Sequence, residues 1–236
     1  MSRVIFDIET AGSEFEALDG PFKDYFLRFA ESEDEVSAVK DSLSFYPLTA
    51  QIVAIGMLNP DSGRGAVYYQ APQNNGAGEE LPLAFEENGL LFEAGSESGI
   101  IAKFWQAVKS YDQFLTFNGR CFDCPFIITR SALHKIEPTR DLMPNRYSNT
   151  HIDLLDQLTF FGAVRRRFSL DLWCRFFGIE SPKQETCGHE VKELFRAGRG
   201  LDIARYCAGD LKATKSLLEY WDNYFQVPGF RKPNNK

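Results

Sequence analysis

The chain has 236 residues, 44% of them hydrophobic, with 21 Phe and a formal net charge of −7. That length accommodates one large domain with an aromatic core, and the acidic balance excludes a protein held on nucleic acid by bulk charge alone. Five cysteines, an odd number, read as reduced thiols, and the absence of an apolar run of membrane-spanning length or a signal peptide leads to the expectation of a soluble cytoplasmic protein with no membrane partner.

Residues 3–10 (RVIFDIET) are strand formers interrupted only by acids. Residues 11–46 carry Phe15, Phe22, Tyr25, Phe26 and Phe29, which most simply pack this segment against the body, and Ser32-Glu33-Asp34-Glu35 predicts a capping box opening a second short helix. Residues 51–57 and 66–70 predict two strands of a hairpin, joined by the turn residues Asn59-Pro60-Asp61-Ser62-Gly63, and 73–80 form a polar loop. The rhythm then alternates. Helices are predicted over 98–110 and 123–134 with a buried strand over 114–117 between them, and 152–158 is a strand or a helix start. Further helices follow over 169–177, capped by Ser169 and stopped by Gly178, over 190–197, and over 202–224, capped by Asp202. Together these predict a single α/β domain over 1–226 with a mixed five-stranded sheet flanked by helices, a helical insertion at 11–46 and a flexible tail at 227–236.

Chemistry concentrates at the two ends of the chain. Side chains on a strand share a face every second residue, so Asp7 and Glu9 stand side by side, roughly 7 Å apart along the strand. Two carboxylates in that position repel each other, and a divalent cation is the natural counter-charge. On the last helix Ile203, Cys207, Leu211, Thr214 and Leu218 form an apolar stripe, with Tyr206 and Asp210 one above the other at its edge. Taken alone, that pair reads as a Tyr–Asp hydrogen bond at a helix rim. Between the ends, a buried strand runs into Asn118-Gly119 and then a helix starting near Asp123, whose plain alternative is an N-cap.

The three segments Phe-Asp-Ile-Glu-Thr (6–10), Asn-Gly-x-x-Phe-Asp (118–123) and Tyr-x-x-x-Asp (206–210) resemble the three motifs of the DEDD 3′–5′ exonucleases, which have the ribonuclease H-like fold. Tyr206 four residues before Asp210, with Arg205 where the other branch has His, gives the DEDDy pattern. The segments Phe168–Lys183 and Gly188–Asp210, with no polymerase sequence present, further resemble stand-alone exonucleases related to the proofreading domain of family B DNA polymerases. The resemblance implies two Mg²⁺ or Mn²⁺ ions held by Asp7, Glu9, Asp123 and Asp210, with Tyr206 orienting a water. It also implies Thr10, Asn118 and Phe122 at the terminal nucleotide and Lys183 on the substrate strand. The implied reaction is hydrolysis of phosphodiester bonds at the 3′ end of single-stranded nucleic acid, with DNA preferred over RNA. A 3′–5′ exoribonuclease, a non-catalytic nucleic-acid-binding module on the same fold and a small-molecule phosphoesterase are the rivals.

Other signals weigh less. Cys121 and Cys124 form a C-x-x-C without a second pair at zinc spacing, so they read as incidental thiols. His151 and Asp153 form a local pair, and Asp153 rivals Asp123 as third ligand, although a structural hydrogen bond is the simpler role for each. Arg165-Arg166-Arg167 is the densest basic run and the first candidate for the strand path. The 11–46 insertion, leaving directly after the acidic strand, is a candidate lid over the substrate end.

Overall fold

The chain builds around a sheet, and the computed structural model describes residues 1–71, 84–180 and 188–226, with side chains from Glu190 onward in the last stretch. The loop expected at 73–80, the tail at 227–236, Lys183 and Cys187 lie outside the described residues. The strands are β1 (Arg3–Gly12), β2 (Ala50–Leu58), β3 (Gly65–Gln70), β4 (Ala84–Glu87), β5 (Leu90–Gly95), β6 (Gln113–Thr116) and β7 (His151–Asp153). The helices are α1 (Gly20–Leu27), α2 (Glu33–Ser42), α3 (Glu97–Val108), α4 (Asp123–Leu133), α5 (Leu154–Leu158), α6 (Leu170–Phe177), α7 (Gly188–Arg196) and α8 (Gly200–Tyr220).

The strands form one mixed sheet in the order β4-β5-β3-β2-β1-β6-β7. β1 runs antiparallel to β2 and parallel to β6. The expected α/β class holds, but among the described residues the sheet has seven strands rather than five. The two additions, β4 and β5, form a hairpin around Asn88-Gly89, both left-handed with φ of 53° and 81°. Such a backbone suits Asn-Gly, and that dipeptide was the available signal. Residues 152–158 hold both structures that were open for them, since β7 passes directly into α5 at Leu154.

Alternation along β1 divides the core. Val4, Phe6 and Ile8 pack with Phe104, Trp105 and Ile127 of α3 and α4 on one face, while Ile5 and Ala11 pack with Cys207 and Leu211 of α8 on the other. Gly56 on β2, opposite Asp7, makes the second layer fit closely: a Cβ there would lie 2.7 Å from Cys207 Sγ and 2.6 Å from Leu211 Cδ1. A glycine at this position therefore lets α8 settle onto the strand pair beside the acids.

Cap chemistry explains most helix starts. The capping box at Ser32 and Glu35 is complete, and Ser169 accepts from the Leu172 N–H with Gly178 in the left-handed stop. α8 differs from expectation: it begins at Gly200 behind Arg199, and Asp202 sits inside its first turn, paired with Arg199 Nε at 2.6 Å. The insertion also departs from the simple packing expected of it. Phe15 is buried and Phe22 and Phe26 are half-buried, but Tyr25 and Phe29 are 72% and 81% exposed.

Candidate active site

Strand alternation places Asp7 and Glu9 on the α8 face of β1, where carboxylate oxygens of the two residues and Cys207 Sγ lie within 4.8 Å of one another. A register shift between Glu9 and Thr10 interrupts the β1–β2 ladder at this point. Such a bulge re-aims neighbouring side chains. On the other edge of β1, pairing with β6 ends at Ile5 opposite Leu115. Beyond it, the Ile8 N–H donates to Asp123 Oδ1 at 3.0 Å, so Asp123 takes the place of the missing strand partner.

Asp123 is the first residue of α4, and the N-cap position belongs to Phe122, which makes no side-chain cap bond. The plain N-cap alternative is thereby corrected: the carboxylate faces β1 rather than its own helix. Burial pushes the Asp123 carboxyl up to about 7, with the charges of Asp153 and Asp210 adding to it and backbone N–H groups opposing.

The turn leading to Asp123 is held by Asp153. Its Oδ1 accepts from the N–H groups of Asn118 (2.8 Å) and Leu155 (3.0 Å), and its Oδ2 accepts from that of Arg120 (3.0 Å). Asp153 therefore serves as a structural clamp, and His151 likewise has structural partners in Thr116 Oγ1 and the Leu142 carbonyl. Within this clamp Asn118 is left-handed at φ 65°.

On α8, four-residue spacing brings Tyr206 and Asp210 to the cleft together. The Tyr–Asp pair of the plain reading stands in a setting that adds three more acids. Burial raises the Tyr206 pKa above its ordinary value, and the charges of Asp210, Glu9 and Asp7 raise it further. Arg205 points elsewhere, pairing with Glu87 at 2.8 Å.

One cleft of about 200 Å³ collects Asp7, Glu9, Asp123, Tyr206 and Asp210, together with Thr10, Asn118 and Phe122. Four carboxylates line it, and no basic side chain does so among the described residues. Such an oxygen-rich set fits hard divalent cations. Cys207 lies beside these acids, but burial first, and then the charges of Asp7 and Glu9, push its thiol well up. Its S–H is directed at Asp7, 3.7 Å from the backbone carbonyl and 3.9 Å from Oδ2.

Sequence reasoning missed Ser44, Phe45, Phe117 and Val191, which also line the cleft. Phe45 belongs to the insertion, 59% exposed, and arrives because Thr10 Oγ1 donates to the Ser44 carbonyl at 2.7 Å. No local pattern announces that contact. The C-x-x-C thiols are free, with Cys121 exposed and Cys124 buried.

A mixed sheet with an acidic cleft between its central strand and a covering helix defines an α/β domain of the ribonuclease H-like class. The chain belongs to the family described as "Predicted 3'-5' exonuclease related to the exonuclease domain of PolB", which matches residues 88–218. The match includes Asp123, Tyr206 and Asp210, whereas Asp7 and Glu9 precede it and join the site through the geometry of β1. A DNA polymerase of Pyrococcus glycovorans is 26% identical over 137 residues, 52% of this chain and 18% of the polymerase. The family B DNA polymerase of the hyperthermophilic archaeon Pyrobaculum calidifontis superposes with a TM-score of 0.54 at 20% identity, over 94% of this chain and 24% of that one. The chain thus spans a quarter or less of these relatives and shares the fold of a polymerase segment. No helix among the described residues is long and apolar enough to cross a membrane.

Proposed function

We propose that the protein is a metal-dependent 3′–5′ exonuclease acting on the 3′ end of single-stranded nucleic acid, DNA in preference to RNA, with residues 1–226 as one catalytic domain. The observation that supports this reading is the meeting of Asp7, Glu9, Asp123 and Asp210 in one cleft beside Tyr206. These four acids would hold Mg²⁺ or Mn²⁺, which when bound polarises the scissile phosphate and lowers the pKa of a water.

The chain's own groups have separable tasks. Asp123 is fixed against the Ile8 N–H, so its second oxygen is held at a set angle to the acids of β1. Tyr206 stays a neutral phenol and positions a water as a hydrogen-bond partner; it is not a general base. Phe122 and Phe45 offer aromatic faces within the cleft to the terminal base, a sequence-tolerant contact. The preference for DNA rests on likeness to polymerase-associated domains.

The test is cleavage of 5′-labelled single-stranded DNA and RNA with Mg²⁺ or Mn²⁺, with and without chelator. A ladder shortening from the 3′ end is expected, faster on DNA, abolished by chelation and slowed about 100-fold or more in Asp7→Ala. No metal-dependent cleavage of either polymer would sink the proposal.

A further inference from the structure

Residues 160–169, between α5 and α6, are exposed without a break. Phe160 and Phe161 adopt consecutive left-handed backbone conformations, φ 51° and 55°, followed by Gly162 at 100°. Residues with a Cβ and a ring avoid that region, and single such residues gather at functional sites. Phe160 is 60% exposed and Phe161 36%. The Phe161 ring lies 4.9 Å from that of Tyr147, itself 74% exposed, and has the Arg146 guanidinium over it at 5.9 Å.

The basic run follows directly. Among the described residues no carboxylate forms an ion pair with Arg165, Arg166 or Arg167, although Arg3, Arg130, Arg146, Arg196 and Arg205 each have one. Three neighbouring guanidinium groups without carboxylate partners stand out on a chain of net charge −7. They are also continuous with the cleft, because Arg167 Nη2 donates to Asn118 Oδ1 at 2.6 Å and Asn118 lines it. Arg166 lies over the Phe168 ring at 6.0 Å, so cations and rings alternate along the surface.

We propose that this segment, with Tyr147, is the binding site for the single strand upstream of the nucleotide held in the cleft. Bases stack on Phe160, Phe161 and Tyr147, while Arg165 to Arg167 meet the phosphates. Exposed rings beside guanidinium groups that no described carboxylate pairs suit a single strand, whose bases present free faces that a duplex hides. The direction of the strand rests on the exonuclease reading; the binding itself does not.

Binding is read by fluorescence anisotropy of labelled oligothymidylates in chelator, where no cleavage occurs. The wild-type protein should hold a 12-mer at least about tenfold more tightly than a trimer, as stacking of further bases requires. Phe160→Ala with Phe161→Ala should remove about 30-fold or more of the 12-mer affinity and little of the trimer affinity. Arg165→Ala with Arg166→Ala should flatten the salt dependence by about 1.4 in log–log slope, and the two Lys variants should restore it. Circular dichroism confirms that each variant is folded. Equal wild-type affinity for the two lengths, no binding of either, or unchanged 12-mer affinity in the folded aromatic variant overturns the site. If cleavage also occurs, the 12-mer to trimer ratio of kcat/KM should fall in parallel; a damaged cleft would lower both rates together.

Discussion

Tyr206 is half-buried, and burial together with the charges of Asp210, Glu9 and Asp7 holds its proton more firmly than in a free phenol. On the proposed exonuclease reading its contribution is therefore geometric. Tyr206→Phe keeps the ring and removes only the donor, so kcat should fall by about 10- to 100-fold. Metal affinity measured by calorimetry should stay within about twofold, because the four carboxylates remain. A wild-type kcat would remove Tyr206 from the mechanism. Residue by residue, legibility followed periodicity. Asp7, Glu9, Tyr206 and Asp210 were readable because a strand repeats every two residues and a helix stacks every four. Cys207 showed in the sequence only as part of an apolar stripe, since its approach to Asp7 depends on the missing Cβ of Gly56. Phe45 was not legible at all, because a hydrogen bond spanning 34 positions, Thr10 to Ser44, brings its neighbourhood to β1.

The element that most distinguishes this sheet is the insertion carrying α1 and α2. Neither helix buries a residue, yet both ends of the segment are anchored: Phe15 and Leu43 are buried, and Thr10 holds Ser44. Glu14 adds an ion pair to Arg196 of α7, and Lys40 bonds Glu16 at 2.8 Å. Helices that cost the core little to lose, suspended beside the cleft, match a covering role more than a structural one. Replacing residues 18–41 with a short Gly-Ser linker, so that Phe15, Leu43, Ser44 and Phe45 remain, should leave the melting temperature nearly unchanged. KM for single-stranded DNA should then rise about tenfold, a difference of about 1.4 kcal/mol. An unchanged KM and unchanged preference between single-stranded and duplex ends would rule the lid out. A deletion from 14 to 44 would be a poorer test, since it also removes the buried Leu43. At this scale the sequence announced helices by their caps but hid the β4–β5 hairpin, whose outer strand is half-exposed and glutamate-bearing and lacks the apolar alternation of a core strand.

For the molecule as a whole, acid should loosen the junction between β6, β7 and the loop before them. His151 is buried there; its Nδ1–H donates to the Leu142 carbonyl at 3.0 Å, and its Nε2 accepts from Thr116 Oγ1 at 2.8 Å. Both bonds suit the neutral ring. Burial, with the nearby charge of Arg120, pushes its pKa down to about 4. A histidine in the unfolded chain titrates near 6.5, so between about 6.5 and 4 the unfolded state binds the extra proton and the folded state does not. The stabilisation is complete above that window and declines as pH falls through it, by about 1.4 kcal/mol per unit. Glu97 behaves differently. Its burial alone would raise its pKa, but hydrogen bonds from Arg130 (2.6 Å), His134 (2.8 Å) and the Ile52 N–H (2.8 Å) lower it overall, so its contribution is lost only at more acidic pH. His151 alone costs about 1.6 kcal/mol between pH 6.5 and 5.0. The Asp123 carboxyl, raised to about 7, works the other way, since the folded state binds its proton first and gains stability over the same interval. His151 is therefore read by difference in urea unfolding at pH 7.5, 6.5, 5.5 and 5.0. His151→Asn, whatever its stability at pH 7.5, should gain about 1.6 kcal/mol relative to the wild type as pH falls from 6.5 to 5.0. A variant profile parallel to the wild type would mean that the ring is protonated in the folded state and that another group sets the acid sensitivity.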